Sequence, residues 1–335
     1  MIGALALQLP LPTGAVAIAG PPPLARYFVL AAVADIETAQ LNVFLQSWRR
    51  YSPQTQVVLW AEQNTTLGLE VVPPHLVTRF ARAGHIRLQR YELYLPFLEE
   101  LQRQGVAGGV VLGDAADVVL QSDPWRDSVA QILIAENAIL LALEGNPEEA
   151  EGKRIRDCAE ATHLLDQCFN AGVAQQLGDR PLACPGVTVG SLGAVTAYVR
   201  QLLEVAGSVA TEECRTQGGD QAVLNFLLHN LGPRAKLRFK HSTLHHWHSL
   251  IHHARYGWPF QIDRFGVLRR HNGSTPAIVH QYDRWTGSQG IFQGQYPHLG
   301  AGFFYKGPNA SNNTPMARMK NICRLCRQNN TEVAA

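Results

Sequence analysis

Residues 110–125 read Val-Val-Leu-Gly-Asp-Ala-Ala-Asp-Val-Val-Leu-Gln-Ser-Asp-Pro-Trp, an apolar run interrupted by two acids and closed by Asp123-Pro124. Apolar runs of this kind are typical of strands buried on both faces of a parallel sheet. Open α/β sheets bind their ligands at the carboxyl ends of such strands, which makes Asp114 and Asp117 candidate ligand-binding residues. On a straight strand two residues that are three apart face opposite sides, so a site shared by the two acids requires the chain to turn after Gly113.

The acidic pair has two interpretations. Burying two like charges is costly without a cation or hydrogen-bond donors, and carboxylate oxygens suit Mg²⁺ or Mn²⁺ carrying a diphosphate. Alternatively, Asp114 and Asp117 are turn-forming or capping residues that bind nothing. The apolar residues on either side favour the first interpretation, because turn acids rarely lie inside such a run.

The chain before this segment predicts a parallel sheet. Residues 26–35 form an apolar run that ends in Asp35, residues 38–51 have the periodicity of one helix face, and residues 56–60 form a second strand. This β–α–β order implies a right-handed crossover and an α/β fold with a mostly parallel sheet flanked by helices. No Gly-x-Gly-x-x-Gly sequence follows the first strand, so the usual dinucleotide fingerprint is absent.

Further elements are predicted along the rest of the chain. They are helices over 87–104, over 155–168, from Ser191 and from Gly219, strands over 110–112, 118–120, 138–143 and 184–190, and a hairpin of 265–268 with 277–280 around an Asn272-Gly273 turn. Asp123 is expected to cap a helix that has Pro124 at its first position.

Composition excludes several classes of protein. Of 335 residues, 46% are hydrophobic, which argues against disorder, and a net charge of +2 argues against a dedicated nucleic-acid binder. Six cysteines are too few for a disulfide scaffold. Neither a signal peptide nor a membrane span is expected at the Pro-interrupted amino terminus.

The chain is expected to divide into three regions. Residues 1–24 are expected to be a poorly ordered leader, residues 25–290 a folded domain, and residues 291–335 a carboxyl-terminal tail. The folded domain is expected to contain two lobes, 25–125 and 126–290. The histidine-rich segment 241–253 lacks an acidic partner, and the Cys323/Cys326 pair lacks the second pair that zinc needs, so neither is assigned a role.

Four segments together resemble the GT-A-fold glycosyltransferases, especially the group that includes glycogenin and lipopolysaccharide galactosyltransferases. The acidic segment is similar to the Asp-x-Arg-Asp-Val-x-Phe-Gln-x-Asp-Pro-Phe of a bacterial and plant group of these enzymes, and Cys184-Pro-Gly-Val-Thr-Val-Gly190 is similar to that group's Gly-rich strand. Gly219-Asp-Gln-Ala-Val-Leu-Asn225 is similar to the Asp-Gln helix start shared with glycogenin and lipopolysaccharide galactosyltransferases, and Ile278-Val-His-Gln-Tyr-Asp-Arg-Trp285 is similar to their late His segment. The resemblance covers residues 26–290 and implies the GT-A fold. It also implies that 25–290 is the catalytic domain, with 25–125 as the nucleotide-sugar-binding lobe and 126–290 as the acceptor lobe.

The resemblance also implies roles for individual residues. Asp117 and His280 would be metal ligands, and Asp114 would contact the metal or the donor. Asp220 and Gln221 would face the donor sugar and the reacting carbon as catalytic residues. The implied donor-binding residues are Ala32, Asp35, Arg90, Asp114 and Gly186.

The implied function is the metal-dependent transfer of a sugar from a nucleoside-diphosphate sugar, a UDP-sugar first of all, to a glycan, a lipid-linked acceptor or another hydroxyl. Mn²⁺ or Mg²⁺ is the expected cofactor, a retaining outcome is favoured, and the expected location is cytoplasmic or membrane-peripheral. The alternatives are a non-catalytic carbohydrate- or nucleotide-binding protein of the same fold and a nucleotidyltransferase. Against the latter, Ala31–Glu37 contains neither glycines nor basic residues.

Overall fold

A computed structural model describes residues 16–17, 26–65, 67, 74–144, 153–208, 210–217, 219–231, 239–242, 250–253, 260–263, 266–270 and 273–282. The strands in these ranges are β1 Val16–Ala17, β2 Tyr27–Val33, β3 Gln56–Glu62, β4 Leu76–Phe80, β5 Gly109–Gly113, β6 Val118–Leu120, β7 Ile139–Leu143, β8 Ala183–Ser191, β9 Phe239–Ser242, β10 Ile251–His253, β11 Phe260–Ile262, β12 Leu268–Arg270 and β13 Ile278–His280. The α-helices are α1 Thr38–Tyr51, α2 Ile86–Arg103, α3 Ser128–Ala135, α4 Ala159–Phe169, α5 Val173–Leu177, α6 Leu192–Ser208, α7 Glu212–Gln217 and α8 Asp220–Phe226.

One eight-stranded sheet runs through both predicted lobes in the order β1-β4-β3-β2-β5-β8-β7-β9. The pairs β4/β3, β3/β2, β2/β5 and β7/β9 are parallel, and the other pairs are antiparallel. The chain leaves β2 toward β3 on one side and later returns as β5 on the other. The carboxyl ends of β2 and β5 therefore form a topological switch point, where open α/β sheets bind ligands.

Helices cover both faces of this sheet because its strands are apolar on both sides. On β2, Phe28 and Leu30 contribute to one buried cluster, and Val29 and Ala31 contribute to the other. The first cluster includes α2 and α6, and the second includes α1. The predicted α/β fold with a mostly parallel sheet flanked by helices is confirmed at this level.

A three-stranded sheet, β10-β13-β6, lies beside the end of β5. In it, β13 pairs antiparallel with β6, which places His280 opposite Val118. Gln281 N extends this pairing by donating to the carbonyl of Asp117 at 2.8 Å. Two segments far apart in the sequence thus meet at the acidic residues.

Most of the local predictions are confirmed, and one is wrong. Helix α1 covers the predicted residues, and Asp123 Oδ1 accepts from Trp125 N at 3.1 Å as the predicted cap. The predicted hairpin is wrong, because β12 pairs with β11 while β13 lies between β10 and β6. A turn does precede β13, since Gly273 N donates to Arg270 O at 2.8 Å, but long-range pairing determines the strand partners.

The structure adds a disulfide bond that the cysteine count did not predict. Cys168 at the end of α4 and Cys214 in α7 are bonded to each other. Among the helices that the structure describes, none combines the length and hydrophobicity needed to span a bilayer. The 1–24 leader, apart from Val16 and Ala17, the Cys323/Cys326 pair and most of the histidine-rich segment lie outside the described residues.

Candidate metal and donor site

Asp114, Asp117 and His280 meet at the carboxyl end of β5. One ligand atom from each lies within 4.8 Å of the other two. Residues 115–117 form the expected turn after Gly113, which brings both carboxylates to one side. Asp117 and His280 are buried, whereas Asp114 is one-third exposed. Two carboxylates and one imidazole form a set of metal ligands that fits Mn²⁺ or Mg²⁺.

His280 and Asp117 lie close enough to pair through a proton on His280, at the position where a cation would bind. His280 Nε2 lies 3.3 Å from Asp117 Oδ1. Burial opposes the charge on His280, but the Asp117 carboxylate holds its pKa well above the ordinary value. A metal ion on these atoms must displace this proton, so metal binding is expected to release it.

Arg90 of α2 places a second buried positive charge at the site, beside that of His280. Its guanidinium pairs with Asp114, donates to Asp220 Oδ2 at 2.8 Å and donates to the Pro185 carbonyl at 3.2 Å. Burial opposes its charge, yet Asp114 and Asp220 help to hold the pKa of Arg90 well above its ordinary value. Arg90 therefore joins the acidic segment to the start of α8 and supplies positive charge beside the carboxylates.

The Gln221 side chain has a defined orientation. Its Nε2 donates to Glu144 Oε1 at 3.0 Å and to the Ala183 carbonyl at 3.1 Å. Both partners are acceptors, so the amide nitrogen must face them. With the amide nitrogen engaged by these two acceptors, the carbonyl oxygen is the side-chain group of Gln221 that remains for contact with a ligand. Its backbone N–H also donates to Asp220 Oδ1 at 2.9 Å, which ties the two residues together.

Gly186 lies directly against the metal-ligating groups. A Cβ at this position would overlap Cε1 and Nε2 of His280 and would lie 3.1 Å from Asp114 Oδ2. The Gly186 carbonyl accepts from Asp114 N at 2.9 Å. The glycine thus leaves the space that the His280 ring occupies, and a donor-binding role for Gly186 stays a prediction.

Two of the predicted donor-binding residues are not joined to this group by a described contact. Ala32 is half-buried on β2 and pairs with Trp60 of β3. Asp35 has φ 53° and accepts from Arg82 at 2.7 Å, and Arg82 also donates to Glu62. Asp35 lines a cavity of about 680 Å³ together with Ile36, Glu37, Thr38, Glu62, Asn64 and Thr65. This cavity adjoins the ends of β2 and β3.

The sequence interpretation missed Glu144, His253 and the disulfide. Glu144 is buried and directly follows the apolar strand β7, so the rule that selected Asp114 could have found it. His253 lies in the histidine-rich segment, but only the pairing of β10 with β13 places it opposite His280. Nothing in the cysteine spacing indicates which two sulfurs bond.

A scan against protein-family models finds no family that matches this chain, and a search of curated proteins finds no similar sequence.

Proposed function

We propose that this protein is a metal-dependent glycosyltransferase of the GT-A fold, which transfers a sugar from a nucleoside-diphosphate sugar to a hydroxyl acceptor. The observation that carries the proposal is the convergence of Asp114, Asp117 and His280 within 4.8 Å at the switch point of the sheet. These are the residues that the resemblance implies as metal ligands, and His280 comes from a part of the chain that is distant from the two acids.

In this proposal Asp117, His280 and Asp114 hold Mn²⁺ or Mg²⁺, which neutralises the diphosphate of the leaving nucleotide. Arg90 adds a second positive charge to the same region. It stays protonated when the donor binds, because Asp114 and Asp220 pair with it in a buried position. The positive charge is therefore in place before the reaction begins.

Gln221 and Asp220 act on the sugar. The Gln221 carbonyl oxygen can accept a hydrogen bond from a sugar hydroxyl or stabilise positive charge at the anomeric carbon, and a carboxamide is too weak a base to activate the acceptor. This favours a retaining reaction. Glu144 orients Gln221 through the hydrogen bond to its amide nitrogen. Asp220 is held by Arg90 and by the backbone of Gln221.

The test is a thermal-shift screen of nucleotide sugars, UDP-sugars first, with and without Mn²⁺. A donor that binds only the folded state raises the melting temperature by mass action, and we expect this increase to require the metal. Asp117→Ala should lose the metal-dependent shift, whereas the matched variant Asp179→Ala, at an exposed acid, should keep it.

An activity assay separates the proposed enzyme from the two alternatives. A glycosyltransferase releases a nucleoside diphosphate from the donor, and this release should disappear with excess EDTA. Full activity in EDTA or in Asp117→Ala would refute the proposal. Sugar binding that ignores UDP and Mn²⁺ would indicate a carbohydrate-binding protein, and release of pyrophosphate would indicate a nucleotidyltransferase.

A further inference from the structure

A second group of metal-ligating side chains lies beside the acidic residues. It consists of Cys184 on β8, His253 on β10 and His280 on β13, and all three are buried. One ligand atom from each lies within 4.8 Å of the other two. We propose that this thiol–imidazole site binds a thiophilic ion of the Zn²⁺ class and competes for His280 with the cation held by Asp114 and Asp117.

The two imidazoles already have the separation that zinc requires. His253 Nδ1 lies 3.2 Å from His280 Nδ1. Two nitrogens bound at about 2.0–2.1 Å to a tetrahedral zinc ion are about 3.3 Å apart. The parallel pairing of β10 with β13 places His253 directly opposite His280, so the strand register sets this spacing.

The metal-ligating atoms also favour a softer ion here than at the acidic residues. Thiolate and imidazole ligands select Zn²⁺ and similar ions, whereas carboxylates suit Mn²⁺ and Mg²⁺. Binding would convert the Cys184 thiol to a thiolate and release its proton to solvent. Three protein ligands leave the fourth position of a tetrahedral ion to water or another ligand.

Sharing His280 makes the two ions exclude each other. A neutral imidazole has one ring nitrogen with a free lone pair, so His280 can ligate one ion at a time. Zinc bound by Cys184, His253 and His280 would therefore leave the cation at the acidic residues without its imidazole ligand. This competition rests on the proposed function, whereas the thiol–imidazole site does not.

Cobalt titration of the full chain, freed of metal, tests the site directly. Co²⁺ takes the place of Zn²⁺, and a thiolate ligand adds a sulfur-to-cobalt charge-transfer absorption that carboxylates and imidazoles do not give. We expect this absorption to saturate at one equivalent of cobalt and to disappear in Cys184→Ser. In His253→Gln we expect it to require at least about tenfold more cobalt. Cys158→Ser and the double variant Cys323→Ser/Cys326→Ser should retain it, which excludes the other thiols.

The proposal is overturned if the folded wild-type chain shows no charge-transfer absorption, or if the absorption persists in Cys184→Ser. The wild-type result stands even if a variant fails to fold. One equivalent of Zn²⁺ should also abolish the Mn²⁺-dependent stabilisation by UDP in wild type and leave it in Cys184→Ser. If UDP binding ignores zinc, the competition is wrong. If UDP never binds, the proposed function fails, and the cobalt absorption still tests the site.

Discussion

At the scale of single residues, the site depends on the absence of a Cβ at Gly186. Because a Cβ on Gly186 would overlap the His280 ring, Gly186→Ala must displace His280 from Asp117. We expect the affinity for Mn²⁺ to fall about tenfold or more, as it does when residues that orient a metal ligand are changed. Calorimetric titration of Mn²⁺ measures this loss.

Gly207→Ala is the matched control for this variant. Gly207 lies near the end of α6, and an added Cβ would have no described atom within 4 Å beyond its chain neighbours and the backbone of its own helix. This change should leave Mn²⁺ binding intact and raise stability by up to about 1 kcal/mol, because alanine favours a helix over glycine. Unchanged Mn²⁺ affinity in Gly186→Ala would show that the His280 ring is not a ligand.

His252 gives a prediction about pH. Burial lowers the pKa of His252 to about 3, while the unfolded chain has an ordinary pKa near 6.5. Between these values the unfolded state binds more protons, so the free energy of unfolding should rise with pH by about 1.4 kcal/mol per unit from this group. Urea unfolding of the metal-free protein from pH 4 to pH 7 measures the slope.

His252→Gln should make this slope shallower, because it removes the group that titrates. His163→Gln, which removes a histidine at an exposed position, is measured beside it as a comparison. Equal slopes in all three proteins would mean that His252 titrates normally in the folded state.

The residues themselves show what the sequence could predict. Asp117 and Arg90 could be predicted from the local sequence pattern or from the resemblance, because a buried strand ending in acids already implies a ligand or a counter-ion. The contact between Asp117 and His280 could not be predicted from the local sequence pattern, since it depends on which strand pairs with β6. The orientation of Gln221 also depends on Glu144, which the chain brings from a separate strand.

At the scale of secondary-structure elements, the disulfide joins α4 to α7 just before the start of α8. A Cβ on Gly219, the residue before Asp220, would lie 2.6 Å from Cys168 Sγ and would also overlap Cys214 Sγ. The disulfide therefore packs against the residue that precedes the catalytic candidates. The link closes a loop of 46 residues in sequence separation.

Cys214→Ser should lower the free energy of unfolding by about 2–4 kcal/mol, the usual contribution of a disulfide. Denaturant unfolding with and without reductant measures it, and reductant should affect wild type more than the variant. Cys158→Ser, at a half-buried free cysteine, serves as the control. Equal stability of wild type with and without reductant would contradict a structural role for this bond.

This bond also bears on the predicted cytoplasmic location, which stays a prediction. Disulfides persist mainly in oxidising compartments. Comparing the redox state of Cys168 and Cys214 in protein taken directly from cells would decide between the cytoplasm and an oxidising compartment.

The elements also show where sequence patterns stop being informative. Helix α1 follows from the periodicity of its apolar residues, and strands β2, β3 and β5 follow from apolar runs that are buried along nearly their whole length. The hairpin prediction was wrong because a turn at Gly273 specifies a reversal of the chain and not the partner of the strand that follows. Short strands such as β10 have too few residues to show a period.

At the scale of the whole molecule, the switch point of the sheet accounts for the position of the site. Asp35 follows β2 and Asp114 follows β5, and these strands are neighbours. The cavity at Asp35 and the metal-ligating group therefore lie along the same edge of the sheet. A donor that spans this edge would place its diphosphate at the metal and its nucleoside toward β2, which agrees with the proposed function.

The central claim is that His280 completes a cation site for a nucleoside diphosphate. The most direct measurement is the calorimetric titration of UDP into wild type, His280→Gln and the matched control His163→Gln, each with and without Mn²⁺. We predict Mn²⁺-dependent binding in wild type and the control, and its loss in His280→Gln. Binding of UDP that is equally strong without Mn²⁺, or that survives in His280→Gln, would contradict the claim.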